Sequence, residues 1–206
     1  VDKKTENNGM TTAHQNNDIT TYSYKDGFYK WQDKEFRGFS MVEEVATGSA
    51  KKKYVFNQDD ALKGLLTEVQ RRDTQDNPYA ETENTWSNSL SNGVYTVKLD
   101  KEKNYTYDGT SSNPKTTETE YTYDSYGNVA KKSEKGDTSI TTDDRFTYNE
   151  YTYNTTSWIV NALRHTYKNA SNDTTKVAES WFYYDNNTWI DSAPTKGDLT
   201  KAINWL

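Results

Sequence analysis

Large and small side chains alternate along most of this chain, in short runs that end at Asp, Asn or Gly. Alternation with a period of two places successive side chains on opposite faces of a strand. The clearest runs lie at residues 20–24, 94–99, 105–109, 118–124, 146–153 and 179–185. Runs of this kind, closed by turn residues, are typical of consecutive antiparallel hairpins. The pattern therefore predicts an all-β fold with little helix, in which consecutive antiparallel β-hairpins form a curved, twisted sheet.

Two segments depart from this pattern. Residues 58–72 have a helix-forming composition and an acidic first turn, but Gly64 interrupts them and residues 65–70 could equally alternate as a strand. Because the surroundings are strand-like, we expect a short helical turn at 59–63 followed by a strand at 65–72. The apolar segment 158–164 could be a central strand or a short helix, and the strand is favoured.

Turn residues divide the chain into its expected parts. Residues 1–18 are polar and predict a lead-in that is frayed or hairpin-like, ahead of a single hairpin-rich domain over residues 19–206. Asp26-Gly27 follows an alternating run and predicts a hairpin turn. The chain starts at Val1 rather than at Met, which suggests a fragment of a larger protein.

The composition changes what the core can be made of. Leu, Ile, Val and Phe together supply only 29 of the 206 residues, whereas the chain has 17 Tyr and 6 Trp. Tyr and Trp bury a large area and keep a polar tip in water, so they can replace aliphatic core residues. The chain has no Cys, which excludes disulfides and thiolate metal sites. No apolar run approaches the length of a membrane span.

The charge argues against a nucleic-acid partner. The net charge is −6, and the lysines are spread along the chain rather than clustered. The short cationic stretches 51–53 and 131–132 are more typical of solvated strand faces than of phosphate-binding sites.

Candidate catalytic and metal-binding chemistry is sparse. Of the two histidines, His14 lies in the polar lead-in, and His165 could act as a general base or be a half-exposed strand residue, which we favour. The oxygen-rich turns 73–77 and 185–187 could hold Ca²⁺ weakly, but Asx-turn capping is the favoured interpretation. Exposed Tyr and Trp would suit stacking on sugars; otherwise Trp86, Trp158, Trp181 and Trp189 would fill the sheet interface. We predict no enzyme activity, no cofactor and no metal.

One motif carries more information than the rest. Residues 123–128 read Tyr-Asp-Ser-Tyr-Gly-Asn. Tyr123 ends a strand, Asp124 can bond its own backbone, and Gly127 and Asn128 can supply the positive φ angles that a tight turn needs. Tyr107-Asp108-Gly109 and Tyr184-Asp185 are weaker copies.

The Tyr-Asp-x-x-Gly-Asn motif resembles the signature of the Rhs, or YD-repeat, proteins. Together with residues 36–39, Phe-Arg-Gly-Phe, the chain is similar to the region that joins the SpvB-like and Rhs portions of insecticidal toxin complex B components. The resemblance extends from about residue 22 to the end. It departs from the family in having no long run of regular repeats and no evident Asp-rich self-cleaving segment.

The resemblance implies a structural role. In such proteins, consecutive hairpins spiral into a hollow shell that encloses a toxic C-terminal domain until delivery. The implied partners are the remainder of the same large protein and the enclosed toxin domain, and the implied location is secreted or at a bacterial cell surface. The alternative is a secreted carbohydrate-binding or adhesive β-module. Exposed sheet edges also predict self-association.

The predicted motif residues are structural rather than catalytic. We expect Phe36 and Phe39 to face a core and Arg37 to pair with a carboxylate on a neighbouring strand. The full predicted set is Phe36, Arg37, Gly38, Phe39, Tyr107, Asp108, Gly109, Tyr123, Asp124, Gly127, Asn128, Tyr184 and Asp185.

Overall fold

The computed structural model describes residues 3–7, 9, 17–46, 48, 50–108 and 111–205. This part of the chain contains thirteen strands and no helix. The strands are β1 (Lys3–Asn7), β2 (Asn17–Lys30), β3 (Glu35–Ala46), β4 (Lys51–Phe56), β5 (Leu66–Arg72), β6 (Pro78–Ser91), β7 (Val94–Thr106), β8 (Lys115–Tyr123), β9 (Val129–Lys135), β10 (Arg145–Asn154), β11 (Ile159–Asn169), β12 (Lys176–Tyr184) and β13 (Leu199–Trp205).

The chain divides into two compact units, Val1–Thr116 and Thr117–Leu206. In the first unit, each strand from β1 to β7 pairs in antiparallel fashion with the strand that follows it in sequence. The second unit has the same arrangement from β8 to β13. The prediction of an all-β fold built from consecutive antiparallel hairpins is confirmed.

The polar lead-in falls largely outside the described residues. Its described part, Lys3–Asn7, is a strand whose partners run from Asn17 to Thr21.

The predicted hairpin turn at Asp26-Gly27 is wrong. Strand β2 continues through both residues, and its pairing with β3 shifts register between Gly27 and Tyr29. The extra residue lies on β3, where Phe39 to Phe36 spans three steps against two from Gly27 to Tyr29, and Gly38, at a φ of 82°, lies in this β-bulge. Asp26 has a φ of 49° without ending the strand. The chain reverses later, at residues 31–34, where the amide of Lys34 donates to the carbonyl of Trp31 at 3.3 Å.

The two ambiguous segments have the favoured structures. Residues 59–64 form a turn in which Asp59 Oδ1 accepts from the amides of Ala61 at 2.9 Å and Leu62 at 2.7 Å. Gly64, at a φ of 80°, ends this turn, and β5 follows. The apolar segment is strand β11, which begins one residue after Trp158.

Buried side chains are few and mostly polar. Among the described residues, Ala162 and Pro194 are the buried apolar residues. The buried polar ones are Arg37, Glu118, Ser133, Asp144, Thr152 and Asn169. Most other strand side chains are half-buried. Trp158 and Trp189 are 72% and 68% exposed, so the expectation that they fill a sheet interface is wrong.

Cross-strand pairs supply much of the packing in place of a deep core. Tyr148 and Tyr167 face each other on β10 and β11, with parallel rings 4.8 Å apart. His165 and Trp181 face each other on β11 and β12, with ring centroids 5.5 Å apart. Such pairs are the units that stabilise a sheet. In the described part of the chain, no helix has the length and hydrophobicity that crossing a membrane requires.

Candidate functional site

The turn that joins β8 to β9 has its conformation set by Asp124. Its Oδ1 accepts from the amides of Tyr126 at 2.9 Å and Asn128 at 2.8 Å, and its Oδ2 accepts from the Asn128 side-chain amide at 2.8 Å. The Asp124 amide also donates to the Asn128 carbonyl at 2.9 Å. Gly127 has a φ of 89°, as expected for a turn glycine. Asn128 is not among the positive-φ residues; its side chain donates hydrogen bonds instead.

This turn is tied to the next hairpin of the same unit. The hydroxyl of Tyr153 donates to Asp124 Oδ2 at 2.9 Å, and the side-chain amide of Asn128 donates to the carbonyl of Val160 at 2.7 Å. Burial alone would raise the pKa of the Asp124 carboxyl, but the hydrogen bonds from Asn128, Tyr153 and the backbone outweigh it and hold that pKa below its usual value. Burial, together with the hydrogen bond to Asp124, raises the pKa of Tyr153 to about 12.

A second turn has the same hydrogen bonds, and the sequence did not identify it as a copy. Asp73 Oδ1 accepts from the amides of Gln75 at 2.9 Å and Asn77 at 2.8 Å, and Oδ2 accepts from the Asn77 side chain at 3.0 Å. The Asp73 amide donates to the Asn77 carbonyl at 2.9 Å. Asp76, at a φ of 73°, stands where the first turn has Gly127. The signal that could have revealed it is the shared spacing of Asp and Asn four residues apart.

The weaker copy at residues 184–185 has a different set of hydrogen bonds. At Tyr184-Asp185, the carboxylate of Asp185 accepts from the amides of Thr195, Lys196, Gly197 and Asp198, at distances from 2.6 to 3.3 Å. These four backbone donors hold the pKa of Asp185 well below its usual range. The loop 185–198 is thereby fastened at both ends.

Tyr107 follows strand β7. Its amide donates to the carbonyl of Tyr79 at 3.0 Å, and its hydroxyl donates to Glu81 at 3.2 Å. Asp108 lies in a bend. Gly109 lies outside the described residues.

Arg37 is buried and makes four side-chain hydrogen bonds. It is 8% exposed, and its guanidinium donates to Asp33 at 2.9 Å, to Glu35 at 3.3 Å, to the carbonyl of Gln58 at 3.2 Å, and to Asp60. The expected carboxylate partners are present, but they lie in two turns and on Arg37's own strand rather than on a neighbouring strand. Arg37 therefore joins the β2–β3 turn to the turn at residues 59–64.

Two lysines contact carboxylates that also bind Arg37. The ammonium of Lys30 contacts Asp60 at 2.6 Å and Asp33 at 2.9 Å, and these hydrogen bonds, helped by Arg37, lower the pKa of both carboxyls. Lys63 contacts Glu35 at 2.6 Å and is the main cause of the lowered pKa of that carboxyl. The resulting network is charge-balanced around one buried guanidinium.

The aromatic residues beside Arg37 are less buried than expected. Phe36 is 55% exposed, so the expectation that it faces a core is wrong. Its ring packs edge-on against Phe39, with centroids 5.5 Å apart, and Phe39 in turn lies 4.8 Å from Tyr24. Gly38 has a φ of 82° and borders a small apolar depression that also touches Val42 and Phe56.

His165 lies between two carboxylates on the strands to either side. Its Nδ1 is 3.3 Å from Glu150 on β10, and its Nε2 is 2.7 Å from Glu179 on β12. The side chain is 13% exposed and stacks on Trp181. It is a strand residue, as favoured, but more buried than expected. Within the described ranges, no three His, Asp or Glu side chains are grouped as for a metal ion.

Residues 1–68 match the family described as insecticide toxin TcdB middle/N-terminal region. The resemblance to insecticidal toxin complex B components is confirmed. No curated relative matches the chain.

Solved structures extend the likeness of the fold to almost all of the chain. The crystal structure of TcdB2-TccC3-Cdc42 matches over 91% of this chain, with a TM-score of 0.71 and 15% identity. The crystal structure of TcdB2-TccC3 matches over 90%, with a TM-score of 0.68 and 14% identity. The Tc holotoxin pore of Photorhabdus luminescens matches over 91%, with a TM-score of 0.68 and 15% identity. The chain spans only 15% of each of these chains.

Proposed function

We propose that this chain is a structural segment of the shell of a toxin-delivery protein of the toxin complex B type, and that it encloses or scaffolds rather than catalyses. The observation that carries the proposal is the likeness of fold to TcdB2-TccC3-Cdc42 over 91% of the chain. The match of residues 1–68 to the TcdB middle/N-terminal region supports it. The proposed partners are the rest of the same large protein and its toxin domain, in a secreted or cell-surface bacterial assembly.

The burial pattern suits a wall. Within the described residues, Ala162 and Pro194 are the buried apolar side chains, and most strand residues are half-buried. A sheet that must present one face to a cargo and the other to its surroundings has no need for a deep apolar core on either face. The network around Arg37 and the turns at Asp73 and Asp124 then serve to hold successive hairpins in a fixed arrangement.

The proposal can be tested in the complete protein that contains this chain. We expect its toxin domain to resist added protease when the wall is intact. The variant Arg37→Ala/Asp124→Ala should make that domain cleavable at a lower temperature than in the parent. Ser125→Ala, in the same turn as Asp124, is the matched control and should leave protection unchanged. A toxin domain that is cleaved equally fast in the intact protein and after denaturation would overturn the proposal.

The rival function, a carbohydrate-binding or adhesive β-module, is favoured by one observation: the ring of Trp158 is largely in solvent. The flanking gene sequence separates the two. Further Tyr-Asp repeats downstream and an SpvB-like segment upstream would support the shell, whereas a signal peptide and a row of similar small modules would support the rival.

A further inference from the structure

Three aromatic side chains meet where two neighbouring hairpins of the second unit turn. Tyr126 lies in the turn at residues 124–128, and Trp158 closes the turn at residues 154–158. The ring of Tyr126 is 4.8 Å from that of Tyr153 and 6.4 Å from that of Trp158, and it stands nearly perpendicular to the latter. Tyr126 is 39% exposed and Trp158 is 72% exposed. We refer to Tyr126, Tyr153 and Trp158 as the aromatic corner.

The backbone of Trp158 is in an unusual conformation for its residue type. It has a φ of 52°, in the left-handed region. The other described non-glycine residues with positive φ are Asp26, Lys34, Asp76, Asn92, Asn113, Asp173, Asp185 and Asn186. Asp and Asn tolerate this region, whereas a bulky residue there is a genuine outlier. Backbone strain of this kind clusters at functional sites.

Folding does not account for an aromatic ring at this position. A side chain that stays mostly in water gains little from the hydrophobic effect. The turn itself is held by Asn154, whose Oδ1 accepts from the amides of Thr156 at 3.1 Å and Ser157 at 3.0 Å. Its Nδ2 donates to the carbonyl of Pro194 at 2.8 Å. A glycine at position 158 would keep this turn and remove the strain, so the ring points to a contact outside the chain.

The surroundings indicate the chemistry of that contact. Segments 125–128 and 154–158 contain no charged residue. They carry the exposed residues Ser125, Thr155, Thr156 and Ser157 around the rings. The carboxylate of Asp124, next to Ser125 in the chain, already accepts hydrogen bonds from Asn128, Tyr153 and the backbone. Open aromatic faces with neutral hydroxyl groups beside them suit a ligand that combines apolar faces with hydroxyl groups.

We propose that the aromatic corner is a binding site for a neutral oligosaccharide, in which a sugar ring stacks on Trp158 and its hydroxyl groups bond to the neighbouring Ser and Thr. A polyanion such as nucleic acid or a sulfated glycan would need cations that these two segments lack. The site does not depend on the proposed shell function, since a wall segment can carry it on an exposed turn.

The test is titration of the chain with cellohexaose, chitohexaose and a mannose hexasaccharide, with a heparin-derived hexasaccharide as the charged comparison. Tryptophan fluorescence and calorimetry report binding. We expect saturable binding of at least one neutral sugar. Trp158→Gly should weaken it by at least about tenfold, as loss of a central aromatic contact does. Because glycine accepts the φ of Trp158, the melting temperature of this variant should stay the same or rise.

Trp189→Gly is the matched control, since it removes an equally exposed indole from the same unit but from outside the aromatic corner. The affinity of Trp189→Gly for the neutral sugar should equal that of the parent. Absence of saturable binding of any neutral sugar at millimolar concentration overturns the proposal. Binding of the heparin fragment alone also overturns it, as does an equal loss of affinity in Trp158→Gly and Trp189→Gly. None of these results bears on protection of a toxin domain by the wall.

Discussion

Arg37 shows how one buried charge can join segments that the sheet ladder does not connect. Its guanidinium bonds to Asp33 in one turn and to Asp60 and the carbonyl of Gln58 near another. Removing one partner from such a network leaves the others unsatisfied, which costs more than the net contribution of the bonds themselves.

We therefore expect Arg37→Ala to lower the melting temperature of the chain by about 5 °C. Lys30→Ala is the control, because Lys30 contacts the same carboxylates from a more exposed position and should cost less. The measurement is thermal unfolding followed by circular dichroism. An unchanged melting temperature in Arg37→Ala would show that the network contributes nothing to stability.

The Asp124 carboxyl makes the stability of the folded chain depend on pH. Its pKa is lowered in the folded chain, so the charged carboxylate is the form that the fold stabilises. The contribution to stability is complete above the unfolded pKa, about 3.9 for Asp, and is lost as the pH falls through the folded value. We expect the stability difference between the parent and Asp124→Asn to be constant from about pH 7 to pH 5 and to shrink below about pH 4.

Urea denaturation of both proteins across this pH series measures the difference. Ser125→Ala is the control, because it changes the next residue of the same turn without changing a titrating group, and its stability difference from the parent should not vary with pH. A difference that persists unchanged to about pH 2 would contradict the assignment of the charged form to Asp124.

At the level of single residues, hydrogen bonds within a turn could be predicted from the sequence, but contacts between segments far apart in the chain could not. The turn at residues 124–128 could be read directly, because Asp, Gly and Asn act within a few residues of one another. The contact between Arg37 and Asp60 could not be predicted, because Asp60 lies 23 residues further along the chain. The exposure of Phe36 was missed for the same reason: alternation shows which residues share a face but not which face is covered.

Among the elements, the turns at residues 73–77 and 124–128 are built alike although only one carries the full motif. Each has an Asp that accepts from two amides and from the side chain of an Asn four residues later. If these bonds set the turn, then losing either Asp should have a similar effect in its own unit.

We expect Asp73→Ala and Asp124→Ala to lower the melting temperature by similar amounts, each roughly 3–5 °C. Thr74→Ala and Ser125→Ala change the next residue in each turn and serve as matched controls, with an expected shift within about 1 °C. Differential scanning calorimetry of the four variants is the measurement. A large loss in Asp124→Ala alone would mean that the turn at residues 73–77 is not an equivalent of the other.

The error at Asp26-Gly27 has a physical cause. Asp-Gly favours positive φ, and both a hairpin turn and the continuing strand found here, with Asp26 at a φ of 49°, accommodate that conformation. What decided between them is the pairing of β2 with β3 beyond this point, up to Lys30 and Glu35. That pairing is a property of two strands together and is not visible in either segment alone.

At the scale of the whole molecule, the fold class could be predicted because alternation, turn residues and the excess of Tyr and Trp all favour strands. The division into the units Val1–Thr116 and Thr117–Leu206 was not visible, since it falls within strand β8 and no change of composition marks it. The scarcity of buried apolar residues agrees with the low content of Leu, Ile, Val and Phe.

The last strand is exposed in a way that predicts association between copies of the chain. All seven residues of β13 are exposed. In the described residues this strand pairs with β12 on one side only. Leu199, Ile203 and Trp205 are 56%, 38% and 50% exposed, and Lys201 is the only charged residue of the strand. A strand edge with apolar side chains and a single charge is a template for pairing with another strand.

We therefore expect the isolated chain to associate as its concentration rises, and Leu199→Lys/Ile203→Lys to suppress this, because lysines placed along an edge repel a second copy and keep the edge in water. Leu90→Lys is the matched control: Leu90 is 59% exposed but lies on β6, where it pairs with Tyr95 of β7, and not on β13. Sedimentation velocity over a concentration series distinguishes the cases. A chain that stays monomeric at millimolar concentration contradicts the prediction. Suppression by Leu90→Lys as strong as by the double variant would show that association follows from general surface hydrophobicity, not from the edge of β13.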